Sequence, residues 1–166
     1  MNRKKRFIIE NTKIAVLSAI FIAVCAFLTI CLPFMALNFI PQSGIGNYAF
    51  EYVEYAYGSL FILIYVLYVG IFHYRIKVTR YVIEITSKRI VFGYFKPPNY
   101  IEISSDSLVE YSFFNRPFSF NKILMIRVKN EQGKVFAKRF YMTFLSNKNQ
   151  KKLSDKLQNI TQINSS

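Results

Sequence analysis

Few side chains in this sequence could carry covalent or metal chemistry. The 166 residues hold one histidine, His73, two cysteines, Cys25 and Cys31, and nine carboxylates. A serine or cysteine nucleophile needs a base positioned beside it, and His73 stands at the end of an apolar run, far along the chain from the serines at 104–107. Both cysteines lie inside another apolar run, where they read as small apolar filler, and the polar part of the chain has none. It therefore needs no oxidising compartment and offers no thiolate metal site. Glu102 and Asp106 could be imagined as a carboxylate pair, but beside a Ser-Asp-Ser turn they read as two surface groups. The six glycines are isolated or lie in one loop, so no phosphate-cradling loop is present. The expectation is a protein that is not an enzyme, with no catalytic residue, no cofactor, no metal and no small-molecule substrate.

The rest of the chain is organised by apolar length and positive charge. Residues 14–74 carry two charged side chains, Glu51 and Glu54, while the formal charge of the whole is +13. The run 14–40 is uncharged and longer than the roughly 20 residues that cross a bilayer, with Pro33 near its far end as a kink site. The run 55–74 is a second uncharged stretch. The domains expected are a basic cytoplasmic N-terminus (1–13), a first transmembrane helix (14–40), a short external loop (41–54), a second transmembrane helix (55–74) and a cytoplasmic β domain (81–162). The first run is about twice as long as the apolar core of a cleaved signal peptide and is followed by no clear small-x-small cleavage site.

The flanks give orientation. Arg3, Lys4, Lys5, Arg6 and Lys13 precede the first run, Arg75, Lys77 and Arg80 follow the second, and the loop between has no Lys or Arg. Basic residues stay on the cytoplasmic side, so both termini are expected there, in a multi-pass protein of the cytoplasmic (inner) membrane. Arg3, Lys4, Lys5, Arg6, Arg75, Lys77 and Arg80 are expected to contact anionic lipid headgroups. Ala15, Ala19 and Ala23 recur every four residues, a small-residue stripe that permits close helix approach, either by the second helix, with Gly58 and Gly70 as partners, or by a different membrane protein.

After Tyr81 the period shortens to two. YVIEITS (81–87), RIVFGYF (89–95), YIEIS (100–104), LVEYSFF (108–114), KILMIRVKN (122–130) and KVFAKRFYMTF (134–144) read as short antiparallel strands, the first two as a hairpin. From Ser146, a candidate N-cap, Leu153, Leu157 and Ile160 form one helical stripe, with QINSS expected to fray. The fold class is a membrane α + β protein: a two-helix transmembrane hairpin, then a small antiparallel β-barrel or bent sandwich capped by a C-terminal amphipathic helix. Between strands, FFNRPFSFN carries Phe113, Phe114, Phe118 and Phe120. Buried, they are core; exposed, they mark a partner-binding loop.

The stretches YVIEITSKRIVFGYF, IEISSDSLVEY and VFAKRFYMTFLSNKNQKKLSDKL, placed after two spans, resemble the bacterial two-span membrane proteins with a pleckstrin-homology-like (PH-like) cytoplasmic domain, of the YdbS-like or YcxB-like type. The resemblance implies a fold more than an activity. With it, the expected function is a non-catalytic binding or scaffolding module at the inner leaflet, an accessory subunit or assembly factor of a membrane complex. The alternative is an immunity protein against a membrane-acting toxin. The expected partners are anionic lipids and another membrane protein or a second copy. Nucleic acid is not among them, because the basic residues are scattered along strands with no recognition helix.

Overall fold

The computed structural model describes residues 6–38, 53–91, 93 and 97–165. The chain divides into two compact units, Val16–Gly70 and Met1–Ala15 with Ile71–Ser166. One apolar N-terminal helix, antiparallel sheets and a C-terminal helix make up the architecture. Most of the loop expected at 41–54 lies outside the described residues.

The helical unit contains most of α1 (Thr12–Asn38), with Pro33 inside it, and α2 (Val53–Val69). Among the described residues one helix, over Thr12–Met35, is long and apolar enough to cross a membrane; Glu54–Val69 is a shorter apolar helix. The buried positions of α2 include Ala56 and Ser59, and α1 buries Cys25. The Thr29 and Ser59 hydroxyls lie 2.7 Å apart and link the two helices. Large apolar side chains cover the outer faces, among them Leu17, Phe21, Phe27, Phe61 and Ile64.

Among the described residues the second unit has seven strands. β1 (Phe7–Glu10), β2 (Phe72–Val78), β3 (Val82–Arg89) and β4 (Asn99–Ser104) form one sheet in that order; β5 (Leu108–Asn115), β6 (Asn121–Lys129) and β7 (Val135–Thr143) form the other. All pairings are antiparallel. Alternation decides what is buried. β2 turns Tyr74, Ile76 and Val78 inward, β3 Ile83 and Ile85, β6 Leu124, Ile126 and Val128, and β7 Phe140 and Met142, all in one core. The last helix, α3 (Asn147–Ser165), closes that core with Leu153 and Leu157, and Ile160 packs against it. Ser146 caps it through its hydroxyl, which accepts from the Asn149 amide at 3.3 Å.

The structure departs from expectation at several points, the strand β1 within the expected basic N-terminus among them. The second apolar helix stops at Val69, not Tyr74. Gly70 takes φ 74°, and its amide donates to the Val66 carbonyl at 2.8 Å, a left-handed helix end. Phe72, His73 and Tyr74 then open β2, so the strand-rich unit begins ten residues before Tyr81. The partner of β3 is accordingly β2 and not the run 89–95. Of that run, Ile90, Val91 and Gly93 lie in a turn, where the backbone passes so close to the Arg89 carbonyl that a Cβ at Gly93 would sit 1.8 Å from its oxygen; the run's other residues after Arg89 lie outside the described residues. Finally, α3 persists through QINS because the Asn164 side-chain amide donates to the Ser105 and Leu108 carbonyls, at 2.7 and 2.9 Å.

Candidate functional site

The feature that organises this molecule is the point where chain leaves the sheets for α1. β1 ends at Glu10 and α1 begins at Thr12, which leaves Asn11 between them. Asn11 is 4% exposed. Its side-chain amide donates to the Phe72 carbonyl at 2.9 Å and to the Thr143 carbonyl at 3.2 Å, while its oxygen accepts from the Tyr74 amide at 2.9 Å. The Phe72 amide donates to the Thr143 hydroxyl at 2.8 Å, and that hydroxyl donates to the Asn121 side-chain oxygen. Five residues from β2, β6, β7 and the β1–α1 junction thus satisfy one another in a buried polar clasp between the two sheets. Around it, Phe72 stacks on Tyr141 with ring centroids 4.9 Å apart, and the Ser87 hydroxyl donates to the Tyr141 carbonyl at 2.7 Å.

The clasp marks one end of the unit. Antiparallel register then fixes which residues share that end: Lys88 and Arg89 stand opposite His73 and Phe72, and Asn121 stands opposite Thr143. The β5–β6 connection, Arg116 to Phe120, is carried there too, as is Phe144, whose amide donates to the Phe120 carbonyl at 3.0 Å.

The residues expected to meet lipid headgroups fall differently. Arg3, Lys4 and Lys5 lie outside the described residues, and Arg6 is exposed just before β1. Arg75 and Lys77 are on β2 and engage in cross-strand ion pairs, Arg75 with Glu10 at 3.4 Å and Lys77 with Glu84 at 2.6 Å. Arg80 lies in the β2–β3 turn, its guanidinium 5.7 Å from the Tyr81 ring. At about 3.3 Å per residue, β2 carries that turn roughly 20 Å from the clasp. The strand starts at Phe72, and so Lys77 and Arg80 are carried along it and away from the clasp, while Arg75 stands beside it, opposite Glu10. Lys13, Lys88, Arg89 and Arg116 also belong to this end; the register of Lys88 and Arg89 with β2 has no signal in the sequence while Phe72–Tyr74 reads as membrane helix.

The helix-packing residues also redistribute. Ala15 is buried and Ala19 half-buried, but Ala23 is exposed. Gly58 is exposed, and a methyl group on its Cα would meet nothing within 4 Å, while Gly70 terminates α2 instead of packing within it. The buried helix positions Cys25, Ala56 and Ser59 replace them. Of the four aromatic-loop residues, Phe113 packs against the core, while Phe114, Phe118 and Phe120 are exposed.

Titratable groups show two displacements. Burial pushes the Tyr74 phenol up to about 12. Tyr100 is likewise pushed up to about 12, first by the hydrogen bond it donates to Glu102 at 2.6 Å, then by lost hydration and the charges of Glu102 and Glu84. Glu84 and Glu102 face each other across β3 and β4, an unfavourable pairing that Lys77 and the Tyr100 hydroxyl offset. His73 lies 3.2 Å from the Thr12 hydroxyl, and among the described residues no three metal-ligating side chains gather. No protein-family model, curated protein or solved structure matches this chain.

Proposed function

We propose that this chain is a non-catalytic, membrane-anchored binding module, whose two apolar helices form a transmembrane hairpin and whose seven-stranded unit acts at the cytoplasmic leaflet as an accessory subunit or assembly factor of a membrane complex. The observation that carries this reading is the pairing of β1 with β2, from Phe7 opposite Val78 to Glu10 opposite Arg75. β1 immediately precedes α1, and β2 follows α2 after two residues. If α1 crosses a bilayer, the chain has to return before Phe72 to the side on which β1 lies. The apolar helix available for the return is α2. Its 17 residues rise about 25 Å, a little short of a hydrocarbon core of about 30 Å, a mismatch that bilayer thinning can absorb. The basic flanks favour the cytoplasm for the paired side.

The strand count supports a PH-like unit: a four-stranded and a three-stranded antiparallel sheet followed by one helix. On this reading the membrane hairpin is inserted between the first and second strands. The exposed apolar faces of α1 and α2 have room for lipid and for a neighbouring membrane protein.

Topology is tested by cysteine labelling in intact cells, in a background with Cys25→Ser and Cys31→Ser. Asn47→Cys should react with an impermeant maleimide from outside, and Asn130→Cys only after permeabilisation. Reaction of both from outside, or release of the protein by alkaline carbonate, defeats the hairpin. Purification in mild detergent tests the complex: a stoichiometric membrane partner is expected, and a bare monomer counts against an accessory role.

A further inference from the structure

The end of the β unit marked by the Asn11 clasp carries an aromatic surface. Phe118 is 94% exposed, and Phe114, Phe120 and Phe144 are exposed beside it. Phe120 and Phe144 stack, with ring centroids 5.0 Å apart. Phe118 and Phe144 have φ of 53° and 56°, and they are the non-glycine residues with left-handed backbone among the described residues. Glycine or asparagine would hold such positions with less strain. A bulky aromatic ring displayed to solvent on strained backbone is doubly unfavourable for an isolated domain, and such outliers concentrate where a surface is used.

The location identifies the partner. Phe144 directly follows Thr143, whose carbonyl and hydroxyl hold Asn11 and Phe72. Asn11 is one residue before α1, and Phe72 opens the strand that follows α2. The rings are therefore held beside the points where the chain enters and leaves its apolar helices. Charge agrees. Lys13 is in the first turn of α1, Lys88 and Arg89 stand opposite His73 and Phe72, and Arg116 begins the aromatic connection. At this end Glu10 is paired with Arg75; Glu84, Glu102, Asp106, Glu110 and Glu131 lie toward the opposite end of the strands, and Asp155 is midway along α3.

From this we infer that Phe118, Phe120 and Phe144 insert into the anionic leaflet that α1 enters, at the headgroup–acyl boundary, so that the β unit is docked on the bilayer by an aromatic wedge ringed with cations. The inference rests on the membrane-spanning reading of α1.

The chain contains no tryptophan, so a single indole reports its own depth. The full-length protein, reconstituted in phosphatidylglycerol–phosphatidylcholine vesicles, is prepared as Phe118→Trp, Phe120→Trp, Phe27→Trp in α1 and Phe136→Trp at the far end of the strands. Lipid-borne bromine should quench the indoles at 118, 120 and 27, and aqueous acrylamide the one at 136. Lipid quenching at 27 without quenching at 118 or 120 overturns the wedge and leaves the span standing. Loss of lipid quenching at 27 as well overturns the spanning reading itself. Shielding of 118 and 120 from both quenchers also overturns the wedge, because a protein surface then covers the loop.

Discussion

Removing the Asn11 side chain is the most informative perturbation of the β unit. Asn11→Ala deletes three buried hydrogen bonds, to the Phe72 carbonyl, the Thr143 carbonyl and the Tyr74 amide. A buried hydrogen bond contributes roughly 1 kcal/mol net, and an orphaned buried partner costs about 1–3 kcal/mol. A water entering the vacated space recovers some of this. The expected loss is about 3 kcal/mol, which is roughly a hundredfold in an opening constant. The loss should be local: β1 is four residues long, and its neighbour β2 keeps the β3 ladder on its other side. Hydrogen exchange of the full protein in nanodiscs is the assay. Peptides covering Phe7–Glu10 and Phe72–Tyr74 should lose protection by about two orders of magnitude, while the interior of β6, around Leu124 and Ile126, should change little. Asn11→Asp keeps the acceptor for Tyr74 but turns a carboxylate on two carbonyl oxygens, and should be no better than alanine at neutral pH. A change below about threefold at β1 and β2 would refute the clasp as an energetic element; an equal change in β6 would refute its local character.

Three further outcomes follow from the packing and the titration. Tyr74 keeps its proton in the fold to about 12, above the ordinary tyrosine value near 10, so its contribution is complete below pH 10 and is lost as pH rises through 12; by pH 11 the wild type should have lost roughly 1 kcal/mol more than Tyr74→Phe, measured by urea unfolding in micelles. Leu157→Ala removes a side chain with 0% exposure from the α3–sheet core and should cost about 3 kcal/mol; thermal unfolding showing a loss under about 1 kcal/mol would mean that α3 is not part of the cooperative core. Thr29→Val breaks the Thr29–Ser59 link in the helical unit and should cost only about 0.6 kcal/mol, a midpoint shift of about 2 °C; a much larger shift would assign the helix pair a polar lock.

Periodicity makes most of the β unit readable. β3 and β4 alternate in the sequence as they do in the structure, β6 is visible as a nearly continuous apolar run, and the 153–157–160 stripe locates α3. Two strands are hidden by the same ambiguity. FHYRIKV alternates throughout, with Phe72, Tyr74, Ile76 and Val78 on one face, but its first half is apolar and continues an apolar helix, so unbroken hydrophobicity masks the change of period. FIIE is too short to show a period and sits beside a basic cluster that reads as a membrane flank. Neither Asn11 nor the Thr143 network has any local signal. Their partners are 61 and 132 residues away for Asn11 alone, and only the closed sheet brings them together. The aromatic loop is visible as composition, but exposure of Phe118 against burial of Phe113 depends on where β5 ends.

The same short strand explains why a polar residue is buried at this junction. In a sheet, a slip of one residue moves every side chain to the opposite face. With Ile9 opposite Ile76, β1 turns Ile9 into the core and leaves Ile8 half-exposed. A slip by one would turn Ile8 and Glu10 inward in place of Phe7 and Ile9, so burial already disfavours it. Asn11 adds direction to that choice. Its amide can meet the Phe72 and Thr143 carbonyls, and its oxygen the Tyr74 amide, in one register only, and the Glu10–Arg75 pair agrees with it. Because Thr12 starts α1 directly afterwards, the register of four residues also fixes the level at which the apolar helix begins. Directional hydrogen bonds thus reinforce what burial selects, and their placement one residue before the helix is the placement at which a one-residue error would do most damage.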